Sequence, residues 1–385
     1  MSNIQSPTAV ALFSGGLDSI LAAKLVAEQG VSIVCLHFFS PFFGKPDAVP
    51  HWERLYDVTI RPVDIGEDFT RMLVERPRHG FGSVLNPCVD CKILMLRHAR
   101  VIMEELGACC IVSGEVLGQR PMSQRRDTLN VIRRDAGVKG RLLRPLSALH
   151  LDPTDAELAG VIDRDRLLKI AGRGRKEQMA LAERFKLREI PTPAGGCRLA
   201  EKENARSYWP VLKHMPSPSA SDFVLANTGR QYWHTAEPTG DNAGGRTGEP
   251  AHWLIVGRNQ DDNNALMALA RERDLLFKTR DFPGPIALGR FAGREWTDEA
   301  VRSAASFMAS YSNKAVREAG RNGNTVAVRV HYGSLDAPGF LVETAPQREP
   351  AFAWREHPWT EAREEIRTEA RTMAASDKNL SFDNV

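Results

Sequence analysis

Ser14-Gly15-Gly16-Leu17-Asp18-Ser19 decides the fold of this 385-residue chain. Before it, Val10-Ala11-Leu12-Phe13 is a short apolar run that reads as a buried strand. After it, Ile20-Leu21-Ala22-Ala23-Lys24-Leu25-Val26 repeats apolar residues at helical spacing. A strand, a glycine turn and a helix start together build an anion site. Backbone N–H groups and the positive end of the helix dipole converge there, and glycines let the backbone approach a phosphate closely. The hydroxyls of Ser14 and Ser19 add two donors. The Asp18 carboxylate would repel phosphate unless a cation intervened, so its presence predicts Mg2+ bridging it to phosphate oxygens. No Gly-Lys-Ser/Thr follows, which excludes the Walker pattern.

The rest of the composition is that of a soluble, two-domain protein. The hydrophobic fraction is 42% and the charged fraction 26%. The net charge of +3 confines any nucleic-acid surface to local patches. No apolar run is long enough to span a bilayer, and Met1 to Thr8 lacks the basic and apolar regions of a secretory signal. A cytoplasmic location without a membrane partner is therefore expected. Six cysteines in a chain of this length do not make a disulfide scaffold. Cys35, Cys109 and Cys110 lie in apolar strands and read as small buried hydrophobes. Cys88 and Cys91 differ. They follow the turn signal Asn86-Pro87 and precede an apolar-periodic helix from Ile93, where the helix dipole and Lys92 would favour thiolates. Cys197 sits in the Pro/Gly loop Pro191–Arg198, of the kind that exposes a side chain.

The Ser-Gly-Gly-x-Asp-Ser turn resembles the PP-loop ATP pyrophosphatases, which split ATP between the α- and β-phosphates and attach AMP to a carbonyl oxygen. That resemblance implies ATP and Mg2+ as cofactors, Ser14, Gly15, Gly16, Asp18 and Ser19 as nucleotide-binding residues, and Asp18 as catalytic. Adding Cys91 after Asn-Pro and Cys197 after Gly-Gly makes the set similar to the tRNA uridine thiolases of the 2-thiouridylase branch. The resemblance implies Cys91 and Cys197 as catalytic. Cys88 stands where that branch usually has an aspartate. With three cysteines, Cys88, Cys91 and Cys197 are expected to hold a [4Fe–4S] cluster by three thiolates, leaving one iron for hydrosulfide. A persulfide route between two cysteines and a structural zinc are the alternatives.

A third stretch, Ile111–Arg126, reads as a strand running into a loop at the carboxyl edge of the sheet. Gly114 permits close approach to a nucleotide, and Gly118-Gln119…Ser123-Gln124 resembles the corresponding loop of the 4-thiouridine synthases. Cysteines and loop therefore point to different carbonyls of uridine. Lys92, Arg120, Arg125, Arg173 and Lys176 are the expected RNA contacts of this half.

Apolar strands from Val10, Val31, Val58 and Cys109 alternate with helices from Ser19 and Ile93. The pattern predicts an α/β domain, a doubly wound parallel sheet, over 1–206, with a basic helical segment at 155–187. Residues 207–220 read as a linker, and Asp241–Pro250 as a loose loop. A smaller α+β domain is expected over 221–346, then a charged tail over 347–385 that is helical after Glu356 and polar at its end.

Within that second domain, His252–Leu266 resembles the Gly-Arg-Asn signature of the NFACT-R RNA-binding domain. Asp281-Phe282-Pro283-Gly284-Pro285, Ala309–Ala315 and Ala337-Pro338-Gly339 agree with it. Pro285 and Lys278-Thr279 depart from the family pattern, which usually has a serine and a histidine there. The resemblance implies a phosphate-binding face from Arg258, Lys278, Arg280, Arg290 and Lys314 beside Trp253 and Phe282.

Together these features predict ATP-dependent thiolation of a tRNA uridine, in which adenylation of a carbonyl precedes sulfur insertion and release of AMP. No rhodanese-like segment is recognisable, so sulfide or a carrier protein charged by a cysteine desulfurase is the expected sulfur donor. A homodimer is among the expected assemblies. The rival readings are an AMP-forming amide or C–N ligase, which would leave the cysteines without a role, and a non-catalytic RNA-binding protein.

Overall fold

A computed structural model describes residues 8–191, 196–235, 251–321, 325–350 and 352–380. The chain divides into two compact units, Met1–Ala200 and Glu201–Val385.

The first unit runs β1 (Thr8–Leu12), α1 (Leu17–Ala27), β2 (Ser32–Phe39), α2 (Val49–Tyr56), β3 (Thr59–Asp64), α3 (Gly66–Glu75), α4 (Cys88–Glu105), β4 (Ile111–Ser113), α5 (Arg126–Asp135), β5 (Leu142–Leu143), α6 (Asp155–Leu158) and α7 (Lys176–Arg184). Its five strands pair in parallel in the order β3-β2-β1-β4-β5. This is the expected α/β sheet with helices on both faces. One face carries Ala9, Ala11, Cys35 and Val112, and packs against α1, α2 and α7 through Ile20, Leu21, Tyr56 and Leu181. On the other, α4 runs against β1 and β4, and Asp68 of α3 reaches His98 of α4 at 3.0 Å. The helix α1 is buried nearly all round, which is why its sequence is apolar on every side. The chain leaves β1 toward β2 and β3, then returns to the opposite side at β4. That reversal opens a crevice at the carboxyl ends of β1 and β4.

The expected basic helix at 155–187 is broken. It consists of α6, a 3-10 turn at Arg164–Arg166, and α7. Arg164 is drawn inward to Glu157 at 2.5 Å and to the carbonyls of Ala148 and Leu151, and Gly172, at φ +83°, interrupts the chain before α7.

The second unit comprises α8 (Lys202–His214), α9 (Ala220–Ala226), β6 (Arg230–Thr235), β7 (Ala251–Val256), α10 (Gln260–Leu269), β8 (Leu275–Thr279), β9 (Ala287–Ala292), α11 (Asp298–Ala309), α12 (Asn313–Arg321), β10 (Val326–Tyr332), β11 (Gly339–Thr344) and α13 (Trp359–Leu380). Its sheet is antiparallel, in the order β11-β10-β8-β9-β7-β6. One face, with Leu254, Phe277 and Val328, packs on Phe307 and Met308 of α11 and Ala315 of α12. The other meets α8, α9 and α10.

Most of the expected linker is helix. Tyr208 and Trp209 of α8 are buried, and Pro210 lies inside the helix. The tail is not free either: Glu365 of α13 accepts from Trp209 Nε1 at 2.5 Å and from Lys213 Nζ at 2.9 Å of α8. The expected loop at Asp241–Pro250 and the polar end at 381–385 lie outside the described residues.

Candidate active site

The phosphate-type turn forms as its residues dictate. Gly15 takes φ +75°, and a Cβ there would stand 2.6 Å from the Trp52 ring, so only glycine suits the position. Gly16 caps α1 without a side-chain bond, and of the first-turn amides that of Ser19 donates to the Gly16 carbonyl at 3.1 Å. Ser14 and Ser19 hydroxyls lie 3.3 Å apart, and Ser19 Oγ donates to the Gly16 carbonyl at 2.7 Å. Behind the turn, His37 bonds the Phe13 carbonyl through Nδ1 at 2.9 Å and accepts from Lys45 N–H through Nε2 at 2.9 Å. Those two bonds demand the neutral ring with its proton on Nδ1, and burial holds the His37 pKa below its usual value despite the bond to Phe13. The same ring meets Trp52 edge-on at 5.0 Å.

Asp18 is half-buried in this turn. Its Oδ2 accepts from Gln119 Nε2 at 3.1 Å, whereas Oδ1 is buried with no partner. A buried carboxylate oxygen left unsatisfied costs on the order of 1–3 kcal/mol. A hard divalent cation with oxygen ligands relieves that cost, so the residue present fits Mg2+. Gly114 follows β4 across the crevice. A Cβ there would be 2.5 Å from the Asp18 carbonyl oxygen and 2.7 Å from Ser19 N. Gly114 thus lets the two loops close on each other, and its close contact is with the turn's own backbone.

Sequence reasoning missed a pair beneath this crevice. Glu115, after β4, and Arg144, after β5, are 3% and 4% exposed and bonded at 3.0 Å, with Ser113 Oγ donating to the same carboxylate oxygen. Burial by itself would raise Glu115. The charges of Arg144 and Lys92, with the bonds from Arg144 and Ser113, outweigh it and hold the carboxyl below its usual range. Glu115 Oε1 and Arg144 Nη2 remain unpartnered. Both residues lie one or two positions past strand ends, which was the available signal.

Lys92 joins this pair to the cysteines. Its charge acts on Glu115 and on Cys91 alike. Asn86 Nδ2 lies 3.0 Å from Cys88 Sγ at the start of α4. Cys91 does not have the stabilised thiolate expected from a helix N-terminus: burial, then the neighbouring Cys197, raise its pKa well above the usual thiol value, with Cys88 and Asp90 adding to the rise. Desolvation outweighs the charge of Lys92. Cys91, Cys88 and Cys197 are therefore electrostatic neighbours. Among the described residues, however, no group of three His, Cys, Asp or Glu side chains is placed to hold a metal ion. In the described residues the three cysteines are neighbours but are not gathered into a metal-holding group. Residues 192–195 of the Cys197 loop lie outside the described residues. Cys35 and Cys110 are fully buried, as expected, while Cys109 is half-buried beside Cys110 at 3.8 Å.

The expected RNA contacts divide. Arg120, Arg173 and Lys176 are exposed. Arg125 is exposed and paired with Asp127 at 3.2 Å, and Arg258 is half-exposed and bound to Asp262 at 2.7 Å. Two members of the proposed C-terminal phosphate face are removed by burial. Arg290 is 1% exposed and ion-paired with Asp222 and Asp274 at 2.6 Å each. Trp253 is fully buried and stacked on Trp233 with ring centroids 4.9 Å apart.

Residues 5–153 match the family model described as thiamine biosynthesis protein (ThiI). This segment is a ThiI-family domain. Residues 247–349 match the model described as NFACT protein RNA binding domain. The ThiI-family domain carries the likeness to curated proteins. A probable tRNA sulfurtransferase of Thermococcus kodakarensis is 29% identical over 149 residues, covering 36% of this chain and 37% of that protein. One from Methanosarcina mazei is 36% identical over 121 residues, covering 29% and 28%. The chain spans about a third of the length of the curated relatives it matches. Among solved structures, a 4-thiouridine synthetase–RNA complex with bound ATP aligns at 21% identity and a TM-score of 0.31, covering 47% of this chain and 51% of that one. Among the described residues, no helix is long and apolar enough to cross a membrane.

Proposed function

We propose that this chain is an ATP-dependent tRNA sulfurtransferase that converts a uridine carbonyl to a thiocarbonyl. One observation carries the reading. The turn with its unsatisfied Asp18 oxygen and a cysteine set around Cys91 occur in the same unit, the turn packed against Gly114 and the cysteines sharing the charge of Lys92 with the adjacent Glu115. A ligase would need the turn but not the thiols, and a plain RNA-binding protein would need neither. The names of the curated relatives support the same choice, and the RNA-binding description of residues 247–349 supports RNA as the partner of the second unit.

In this reading the amides of the turn, with Ser14 and Ser19, bind the phosphates of ATP. Mg2+ held by Asp18 would neutralise the charge that develops on the departing pyrophosphate. The uridine carbonyl oxygen attacks the α-phosphorus, the α–β bridge bond breaks, and pyrophosphate leaves. A persulfide delivered by a sulfur carrier protein resides on Cys197 or Cys91. Its terminal sulfur attacks the adenylated carbon, the carbon–oxygen bond breaks, and AMP departs. The second cysteine then attacks the bridging sulfur, which forms a Cys91–Cys197 disulfide and leaves the terminal sulfur on the base. A dithiol reductant returns both thiols. The enzyme must reach a base atom that stacking conceals, so the nucleotide is extruded first.

Mass spectrometry of tRNA nucleosides from the host, with the gene intact, deleted, or carrying Cys91→Ala or Cys197→Ala, tests this. Loss of 2-thiouridine or 4-thiouridine in the deletion and in both variants is expected, and the nucleoside lost names the carbonyl. Undiminished thiolation in either variant overturns the mechanism.

A further inference from the structure

We propose that Lys278 and Arg329, side by side on the C-terminal sheet, are a contact for the phosphate backbone of RNA. The inference rests on the reading of the second unit as an RNA-binding module; it keeps Lys278 of the expected phosphate face and puts Arg329 in place of the buried Arg290. Lys278 of β8 and Arg329 of β10 are directly opposite each other in register. Both are exposed, and neither has an ion-pair partner among the described residues. Two like charges directly across an antiparallel pair destabilise the sheet. The neighbouring cations differ: Arg280 is paired with Asp281 at 2.8 Å, and Arg258 with Asp262 at 2.7 Å. Glu343 of the edge strand β11 stands only diagonal to Arg329, because Glu343 pairs with Ala327 and Leu341 pairs with Arg329. No bond joins it to either cation.

The chemistry of the surroundings selects an extended polyanion. The pair stands on a strand face beside the half-exposed Leu341, and long flexible cations on such a face suit a sugar–phosphate chain. Removal of the repulsion by a bound phosphate offsets what the free sheet loses.

The test is fluorescence anisotropy of labelled host tRNA with the full chain at several KCl concentrations between about 50 and 200 mM. Lys278→Gln/Arg329→Gln is expected to weaken binding about 10- to 30-fold near 100 mM salt. It should also flatten the log–log salt slope by roughly 1.5, the release of counterions at two contacts. Its melting temperature should hold or rise, since the like-charge contact is gone. A double variant with wild-type affinity and slope overturns this inference and leaves the RNA reading standing. Wild-type chain that does not bind tRNA overturns both. Polyglutamate competing as well as tRNA at equal charge overturns the assignment to RNA.

Discussion

Gly114→Ala is the sharpest test of how the proposed nucleotide site is built. The new Cβ would stand 2.5 Å from the Asp18 carbonyl oxygen, 2.6 Å from its carbon and 2.7 Å from Ser19 N. All three are backbone atoms, so no flexible side chain end is available to move aside. Reaching an ordinary 3.4 Å contact requires the two loops to part by roughly 0.9 Å. Overpacking of this kind costs about 1–3 kcal/mol. In a unit of about 200 residues that lowers the melting temperature by roughly 2–12 °C. The functional effect should be larger than the stability effect. In the proposed function the displaced atoms are the first-turn backbone assigned to phosphate and the residue that carries the unsatisfied oxygen, and a misplacement near 1 Å costs about 100-fold in a positioned reaction. Titration calorimetry with Mg-ATP and pyrophosphate release in the presence of tRNA measure the two parts. Gly174→Ala is the control, because its Cβ meets nothing within 4 Å, and less than about 0.5 kcal/mol is expected there. If Gly114→Ala binds ATP and melts as the wild type does, the close approach of the two loops is not what holds the site.

Glu115→Gln removes the charge opposite buried Arg144 and should destabilise the protein by about 3–5 kcal/mol, read as a fall in the urea midpoint; Glu115→Leu with Arg144→Met should recover most of it. A neutral single variant would mean that Arg144 is solvated. Because the folded His37 pKa lies below its usual value, its contribution is complete above about pH 6.5 and declines as pH falls below that. Thermal midpoints should therefore drop between pH 7.5 and 5.5, and the drop should shrink in His37→Gln. The raised Cys91 pKa makes its thiol slow to alkylate. Iodoacetamide mapping at neutral pH should find Cys91 labelled slowly, with its labelling accelerating about tenfold per pH unit; rapid labelling of Cys91 at pH 7 contradicts the burial argument.

The strand–turn–helix around Gly15 and Gly16 was readable because its parts are local. Two glycines, a helix start and the preceding apolar strand impose backbone angles within a few residues, and the structure reproduces them at Gly15 and Gly16. The strand–helix alternation was readable for the same reason. Residues 207–214 misled because proline and serine mark breaks only when a helix has nothing to pack on, and α8 buries Tyr208 and Trp209. The 155–187 stretch misled in the opposite sense: its charges suited a helix, but Arg164 is committed to Glu157 and to nearby carbonyls.

Ser14 to Ser19 set a glycine turn at a helix start in any context that continues the strand and helix around them, since dihedral freedom and helix-end amides belong to the local chain. Other properties depend on residues far apart in sequence. Gly114 meets Asp18 because β4 lies beside β1. Arg144 finds Glu115 because β5 lies beside β4. Arg290 is an internal ion-pair partner because β9 is central, whereas Arg329 is an open cation because β10 lies beside the edge strand β11. A side chain's charge is written in the sequence, but its cost or use depends on the dielectric and the partners around it, and those exist only once the sheet is assembled.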